Sequence, residues 1–405
     1  MALAAAAILA AVAGLAPVTS VQAHSRGAVL SLAAGLLGGA PLLASGGYDG
    51  CVRLWAHDEG GKLQLQESLQ AEQGATFSLA AASYDEGSCL LVAGSFSRRL
   101  SFWHLLAAPD GAERRIRSDH PLHSEFLHTG WVRSLTFASA RHGARQPCRI
   151  HSIGCNRIVS WPLRAVRSEV ALVSSLPLAP EAELAVYEDG DICERSHDIL
   201  CLTHGSEEEA LACGSIDGAI RVWSTREMIS ASELKQTPSA WWIGHPDERV
   251  TALAFHKGSL LSCGYDGWVR RWRNPAGSVV YPGECGGIAW ELESEALPTL
   301  TAQMDGNDAK AVRVTSLVVA QCPNMSGEDR VHVGTSGGEV ISLDANDLTE
   351  LSRWSLPPAA SAGQKPVRVT ALSILPRRAH DEEFSARTTP VVAVGDSAGC
   401  VHILT

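Results

Sequence analysis

The sequence predicts an all-β chain built from seven copies of one small unit, and three observations carry that prediction. The first is a hairpin signature at residues 260–272, which include "SCGYDGWVRRW". An apolar run from Leu260 to Cys263 leads into Asp266-Gly267, a turn pair whose two residues are both expected at positive φ, and an alternating strand follows from Trp268 to Trp272. The second is recurrence, with six positions separating the turn residue from the last inward residue in every copy. The frames are Asp49 to Trp55, Ser97 to Trp103, Cys155 to Trp161, Asp217 to Trp223, Asp266 to Trp272, Gly337 to Leu343 and Ala398 to Leu404. The third is a further alternating strand ahead of each hairpin, and a histidine (His24, His128, His197, His245) just before several of them. A unit of this size cannot bury both faces of its own sheet, so neighbouring copies must stack.

In chain order, the preceding strands are "AVLSLAA", "TFSLAAA", "WVRSLTF", "ILCLTH", "RVTALAF", "RVTSLVV" and "RVTALSI", each alternating between two faces. In the last two hairpins Gly338 and Gly399 keep the tight turn, while leucine replaces the aromatic plug.

This pattern resembles the WD40 β-propeller family. "GHPDERVTALAFHKGSLLSCGYDGWVRRW", residues 244–272, carries the family's Gly-His start, its inner-strand spacing and its closing Trp. The resemblance implies a seven-bladed propeller in which His245, Ser262, Asp266 and Trp272 form a buried hydrogen-bond tetrad tying one blade together. It extends over nearly the whole chain but is worn. No closing Trp is followed by Asp, and Ser97, Cys155, Gly337 and Ala398 replace the turn Asp, so intact tetrads are expected in only a few blades.

A ring must close, and the last hairpin ends at Thr405. The family's solution is a strand borrowed from the N-terminus, and "LAPVTSVQ", residues 15–22, stands where that outer strand belongs. The organisation expected is an Ala-rich segment over 1–14, then one propeller domain over 15–405 with a long loop insertion at about 274–310. Radial repetition lets a single domain reach this length. Val21-Gln22-Ala23 is a passable signal-peptidase site, but the segment lacks a basic start and cleavage there would remove the closing strand. Cytoplasmic or nuclear residence is therefore expected ahead of secretion, membrane insertion or organellar import.

The eleven cysteines are odd in number and several lie in expected strands (Cys51, Cys201, Cys213, Cys400), which fits buried thiols in a reducing compartment. No C-x-x-C pair or helical His-x-x-x-His pair offers a metal site. There is no G-x-S-x-G elbow, no phosphate loop ending in Gly-Lys-Ser/Thr and no G-x-G-x-x-G between strand and helix, so neither catalysis nor a cofactor is expected. A formal net charge of −11, with the acidic run "EAELAVYEDGDICE" at 181–194, opposes a nucleic-acid footprint, because phosphate binding needs clustered Lys and Arg.

The mouth of the ring is where WD40 proteins usually bind peptides. By resemblance, the residues before the turn positions (Tyr48, Phe96, Gly154, Ile216, Tyr265, Ser336, Ser397) and those starting the inner strands (including Trp131, Arg249, Arg313, Arg368) point towards it. Aromatics beside arginines have the composition of interface hot spots, and Arg offers a planar fork for carboxylate or phosphate. The peptide-binding face is thus read as Tyr48, Phe96, Trp131, Arg249, Tyr265, Arg313 and Arg368. The function expected is a non-enzymatic scaffold or adaptor within a hetero-complex that binds acidic or phosphorylated peptide segments of partner proteins. Two alternatives are carried: a substrate receptor of a cullin-4 type ubiquitin ligase, whose relatives often close a blade with Trp-Asp-x-Arg where this chain has "WSTR" (Trp223 to Arg226), and a propeller hydrolase.

Overall fold

The computed structural model describes residues 17–57, 62–71, 74–83, 87–107, 122–123, 128, 130–139, 147–162, 182–185, 198–225, 238–274, 290–297, 312–321, 329–357, 367–376 and 390–405. Among them, 28 strands form seven four-stranded sheets. In chain order β1 is Pro17–Gln22, and the first blade is β2 (Val29–Leu37), β3 (Ala40–Gly47), β4 (Cys51–His57) and β5 (Leu63–Gln70). The second is β6 (Thr76–Ser83), β7 (Ser88–Ser95), β8 (Leu100–Leu106) and β9 (Leu122–His123), and the third is β10 (Val132–Ser139), β11 (Pro147–Gly154), β12 (Arg157–Pro162) and β13 (Ala182–Ala185). The fourth is β14 (Ile199–Gly205), β15 (Ala210–Ser215), β16 (Ala219–Ser224) and β17 (Ala240–Ile243), and the fifth is β18 (Val250–His256), β19 (Ser259–Gly264), β20 (Val269–Arg273) and β21 (Glu291–Ala296). The sixth is β22 (Val314–Ala320), β23 (Arg330–Thr335), β24 (Glu339–Asp344) and β25 (Glu350–Ser355), and the seventh is β26 (Val369–Leu375), β27 (Val391–Asp396) and β28 (Cys400–Leu404), completed by β1. Each first strand contacts the first strand of the next blade, and β26 returns to β2, so the sheets close into a ring.

The stacking that the repeat demands is visible as seven buried apolar clusters, one between each pair of neighbouring blades. The closing residue of a blade fills the interface behind it: Trp103 packs with the first blade, Trp272 with the fourth, and Leu343 and Leu404 take the same place in the sixth and seventh. Backbone comes close at these interfaces; a Cβ on Gly395 would lie 2.6 Å from Val29 of the first blade. Polar clasps follow the same ring. Thr251 donates to the Val314 carbonyl at 2.8 Å and Thr315 to the Val369 carbonyl at 2.8 Å, while Thr370 donates to the Val29 carbonyl across the closure.

β1 pairs antiparallel with β28, with Val21 opposite Val401. A side-chain chain reinforces the seam: Ser20 bonds His402 at 2.9 Å, and the other ring nitrogen of His402 reaches Asp396 at 2.9 Å. The carboxyl of Asp396 also accepts from the backbone N–H of Ala398 and Cys400, so the last turn and the borrowed strand are held through one residue.

Three expectations need correction. Only Gly267 of the Asp266-Gly267 pair has positive φ, at 83°. The Gly267 N–H donates to the Gly264 carbonyl and the Gly264 N–H to the Trp268 carbonyl, so Tyr265 and Asp266 form the turn and Gly267 the left-handed residue after it. The third hairpin is one residue shorter than the others: Ile150 faces Trp161 across eleven positions, where Leu260 faces Trp272 across twelve. The 274–310 stretch is not loop throughout, because β21 lies inside it and is the outer strand of the fifth blade. Cross-strand charge holds it there, with Arg270 to Glu295 at 3.2 Å, Arg271 to Glu293 at 2.7 Å and Arg273 to Glu291 at 3.1 Å.

Candidate functional site

Within the fifth blade His245, Ser262, Asp266 and Trp272 form one chain of hydrogen bonds. The Trp272 indole N–H donates to Ser262 Oγ at 2.8 Å, Ser262 Oγ lies 2.8 Å from His245 Nε2, and Nδ1 of the ring is 2.9 Å from Asp266. The carboxylate selects the tautomer with the proton on Nδ1, so the serine hydroxyl donates to Nε2. Burial pushes Asp266 up, but bonds from His245 and Arg270 outweigh it and leave the carboxyl below its ordinary range. Gly264 must lack a side chain here, because a Cβ would lie 2.5 Å from His245 Nδ1. The first blade repeats the set with His24, Ser45, Asp49 and Trp55. The third keeps His128, Ser152 and Trp161 and has Cys155 at the turn, so His128 Nδ1 has no partner among the described residues.

In the fourth blade Cys213 stands four residues before Asp217, where the fifth has Ser262, and the buried Trp223 indole N–H has no partner among the described residues. Cys213→Ser is expected to supply the missing acceptor and raise stability by about 1 kcal/mol. The midpoint of urea unfolding checks this; a lower midpoint would mean that the indole is not aimed at that position.

These interiors position the rim. In six of the blades the backbone N–H of a rim residue donates to the carbonyl just before an inner strand, Tyr48 to Ala28, Phe96 to Ala75, Ile216 to Asp198, Tyr265 to Arg249, Ser336 to Arg313 and Ser397 to Arg368, all at 2.9–3.1 Å. In the sixth and seventh blades the bond is reciprocated, because Arg313 N–H donates to Ser336 Oγ at 3.0 Å and Arg368 N–H to Ser397 Oγ at 2.9 Å. The two sets of rim residues therefore meet at one end of the ring, on backbone that is fixed while the side chains extend outward.

At the second residue of every inner strand the register shifts by one, at Leu30, Phe77, Arg133, Leu200, Thr251, Thr315 and Thr370. Such a bulge re-aims one side chain, and all seven of these residues line a depression of about 330 Å³ at the top of the channel. Arg249, Tyr265 and Arg368 line it as well.

The rim has two chemically distinct sides. On the second and third blades Phe96 and Trp131 are in contact (centroids 4.8 Å) and Phe77 stacks on Trp131 at 5.3 Å. Phe96 is 48% exposed and Trp131 39%, and Tyr48 on the first blade is 65% exposed. Arg133 lies over the Trp131 ring at 5.1 Å and pairs with Asp198 at 3.6 Å. On the fifth to seventh blades, Arg249 and Arg313 each lie 4.7 Å from the centre of the Tyr265 ring, and Arg368 follows on the next blade. Among the described residues no carboxylate pairs with Arg249, Arg313 or Arg368.

The far halves of the inner strands line a second, open cavity of about 710 Å³, where aliphatic side chains stand beside His204, Glu207, Glu208 and Lys257. Among the described residues no three His, Cys, Asp or Glu side chains gather as a metal site, and no helix is long and apolar enough to cross a membrane. Arg226 of "WSTR" and His197 lie outside the described residues. Phe77 and Arg133 belong to the rim chemistry but are missing from the sequence-derived set. The signal that finds them is the residue following Val29 and its counterparts when the seven units are aligned.

The family description "WD domain, G-beta repeat" matches residues 15–56, 192–224 and 236–273, which take in β1–β4, β14–β16 and β17–β20. No curated protein sequence matches the chain. Among solved structures it is similar to the crystal structure of the WD40 beta propeller domain of Doa1, at 15% identity and a TM-score of 0.60, over 97% of this chain and 97% of that one. At that identity the likeness speaks for the fold alone. Matched repeats and a ring of seven four-stranded blades lead to one statement: this chain carries WD40 repeats and folds as a seven-bladed β-propeller of the WD40 type.

Proposed function

We propose that the protein is a non-enzymatic interaction scaffold, a subunit of a hetero-complex, whose mouth binds an acidic or phosphorylated peptide segment of a partner. One observation carries this reading: Arg249, Arg313 and Arg368 project from equivalent positions on three consecutive blades with no carboxylate partner among the described residues, in a chain of formal net charge −11. Guanidinium groups that no described carboxylate takes up are open to an anion from a partner, and their planar forks match carboxylate and phosphate. The same reading places the protein in the cytoplasm or nucleus. Its support is a set of free thiols in strands, with burial pushing Cys89, Cys213 and Cys263 up to about 12, where they act as small apolar groups rather than redox centres.

The test is quantitative affinity purification of the full chain beside an Arg249→Glu, Arg313→Glu, Arg368→Glu variant from the same cells, each first shown to be folded. Selective loss of partners from the variant is expected. An unchanged partner set would remove the mouth as the contact.

A further inference from the structure

We infer that the mouth holds its peptide at two points, an apolar side chain against Phe96 and Trp131 and a phosphate monoester among Arg249, Arg313 and Arg368. This rests on the peptide-binding reading above and adds to it the second anchor and the charge state of the first. The ring order sets the geometry. With seven blades in sequence, the sixth, which carries Arg313, stands across the channel from the junction of the second and third, which carry Phe96 and Trp131. The depression between them is lined from both sides, by Phe77 and Arg133 on one and Arg249, Tyr265 and Arg368 on the other, so a chain crossing the mouth touches both.

The two sides differ in what they accept. On the aromatic side the ring centroids are 4.8, 5.3 and 6.5 Å apart, and Arg133 already lies over Trp131. Asp198 neutralises Arg133, so this side has exposed aromatic surface without excess charge and suits an apolar side chain. Across the channel two guanidinium groups each lie 4.7 Å from the centre of one tyrosine ring, which gathers two like charges on this side of the mouth. A ligand with a single negative charge leaves that repulsion partly in place. A phosphate monoester brings close to two charges and three acceptor oxygens, one for each arginine fork. The Ser336 and Ser397 hydroxyls accept from the arginine backbone, which leaves their protons to donate to the same group.

The experiment uses the full chain on immobilised peptides in a Gly-Ala background. The central residue is phosphoserine, serine or glutamate, and a single Trp or Leu is placed at each neighbouring position in turn. Wild type is expected to retain phosphoserine peptides and to prefer an apolar residue at a restricted set of spacings by roughly tenfold, equivalent to about 1.4 kcal/mol. A Phe96→Ser, Trp131→Ser variant, with Trp131→Gln as the milder companion, should keep the phosphoserine requirement and lose the spacing preference. Arg313→Glu, Arg368→Glu should lose the phosphoserine requirement. Both are checked for an unchanged thermal melt. Phosphoserine binding with no apolar preference, or a preference that survives the aromatic variants, would overturn the two-point inference and leave the peptide-binding function standing. Glutamate peptides held as tightly as phosphoserine peptides would overturn the phosphate assignment. Binding to none of the peptides, combined with unchanged cellular partners in the triple arginine variant, would overturn both.

Discussion

Trp272→Ala is expected to destabilise the protein by about 3–5 kcal/mol, whereas Trp241→Ala, one blade away, costs less than about 1 kcal/mol. Trp272 is 6% exposed and lies in the interface between the fourth and fifth blades, 5.4 Å from Trp242, which in turn stacks on Trp290 at 5.9 Å. Alanine there opens a cavity in a three-tryptophan cluster, and it also deprives Ser262 of the indole N–H at the head of the His245–Asp266 chain. Trp241 is 48% exposed on the outer strand β17, where the alternation buries Trp242 and turns its neighbour to solvent. Urea unfolding of the two variants against wild type checks the contrast. Small and equal losses would contradict the assignment of Trp272 as the plug of its interface. Because neighbouring blades share that interface, the loss should appear as a lower midpoint for the whole ring rather than as a separate early transition.

Acidification from pH 7 to 5 is expected to remove stability on the order of several kcal/mol. Burial lowers His128, His204 and His332 to about 4 and His151 to about 3, from an ordinary value of 6.5. Above pH 6.5 these rings are neutral both folded and unfolded and contribute no pH dependence. Below 6.5 the unfolded chain takes up protons that the folded rings refuse. Stability therefore falls with falling pH until the folded values are reached, by up to about 1.4 kcal/mol per pH unit for each ring. The reason is visible for His151: both of its ring nitrogens are buried without partners, and His204 stacks on it at 6.0 Å, so a charge there has no compensation. Thermal melts at intervals between pH 7.5 and 5 check the slope, and a flat profile would contradict the burial of these rings. In His151→Leu the fall should be shallower, because one refused proton is gone.

Seven units can be read in the sequence because each closing residue carries the interface behind it, and a residue with that task is either Trp or a large aliphatic side chain. Outer strands have no such task. They are half-exposed edges, and β9 and β13 are only two and four residues long. β21 escapes a hydrophobic reading altogether, since "ELESEA" is held by charge: its glutamates face Arg270, Arg271 and Arg273 of β20, a match that becomes legible only once β20 has been placed. The rim is half legible for a different reason. Strict alternation along an inner strand assigns its faces by parity, but the bulge at the second residue shifts that parity, so Phe77 and Arg133 enter the channel without being expected there. The shortened third hairpin has the same character, because loss of one turn residue keeps Trp161 six positions from Cys155 while moving Ser152 to three positions before it.

The seam between β1 and β28 also sets an order in time. Ser20 and His402 are 382 positions apart, so β1, the earliest of the described strands to leave the ribosome, is the last of them to find its partner. At about 5–20 residues per second, that wait lasts roughly 20–80 s. During it the seventh blade lacks its outer strand, and "PVTSVQ" is an unpaired edge able to join another chain. Ribosome-bound chains arrested before residue 400 should accordingly be cut by protease at residues 17–22, and released full-length chains should not. Folding of the ring thus includes a late joining step, in which two strands far apart in the chain meet within one sheet.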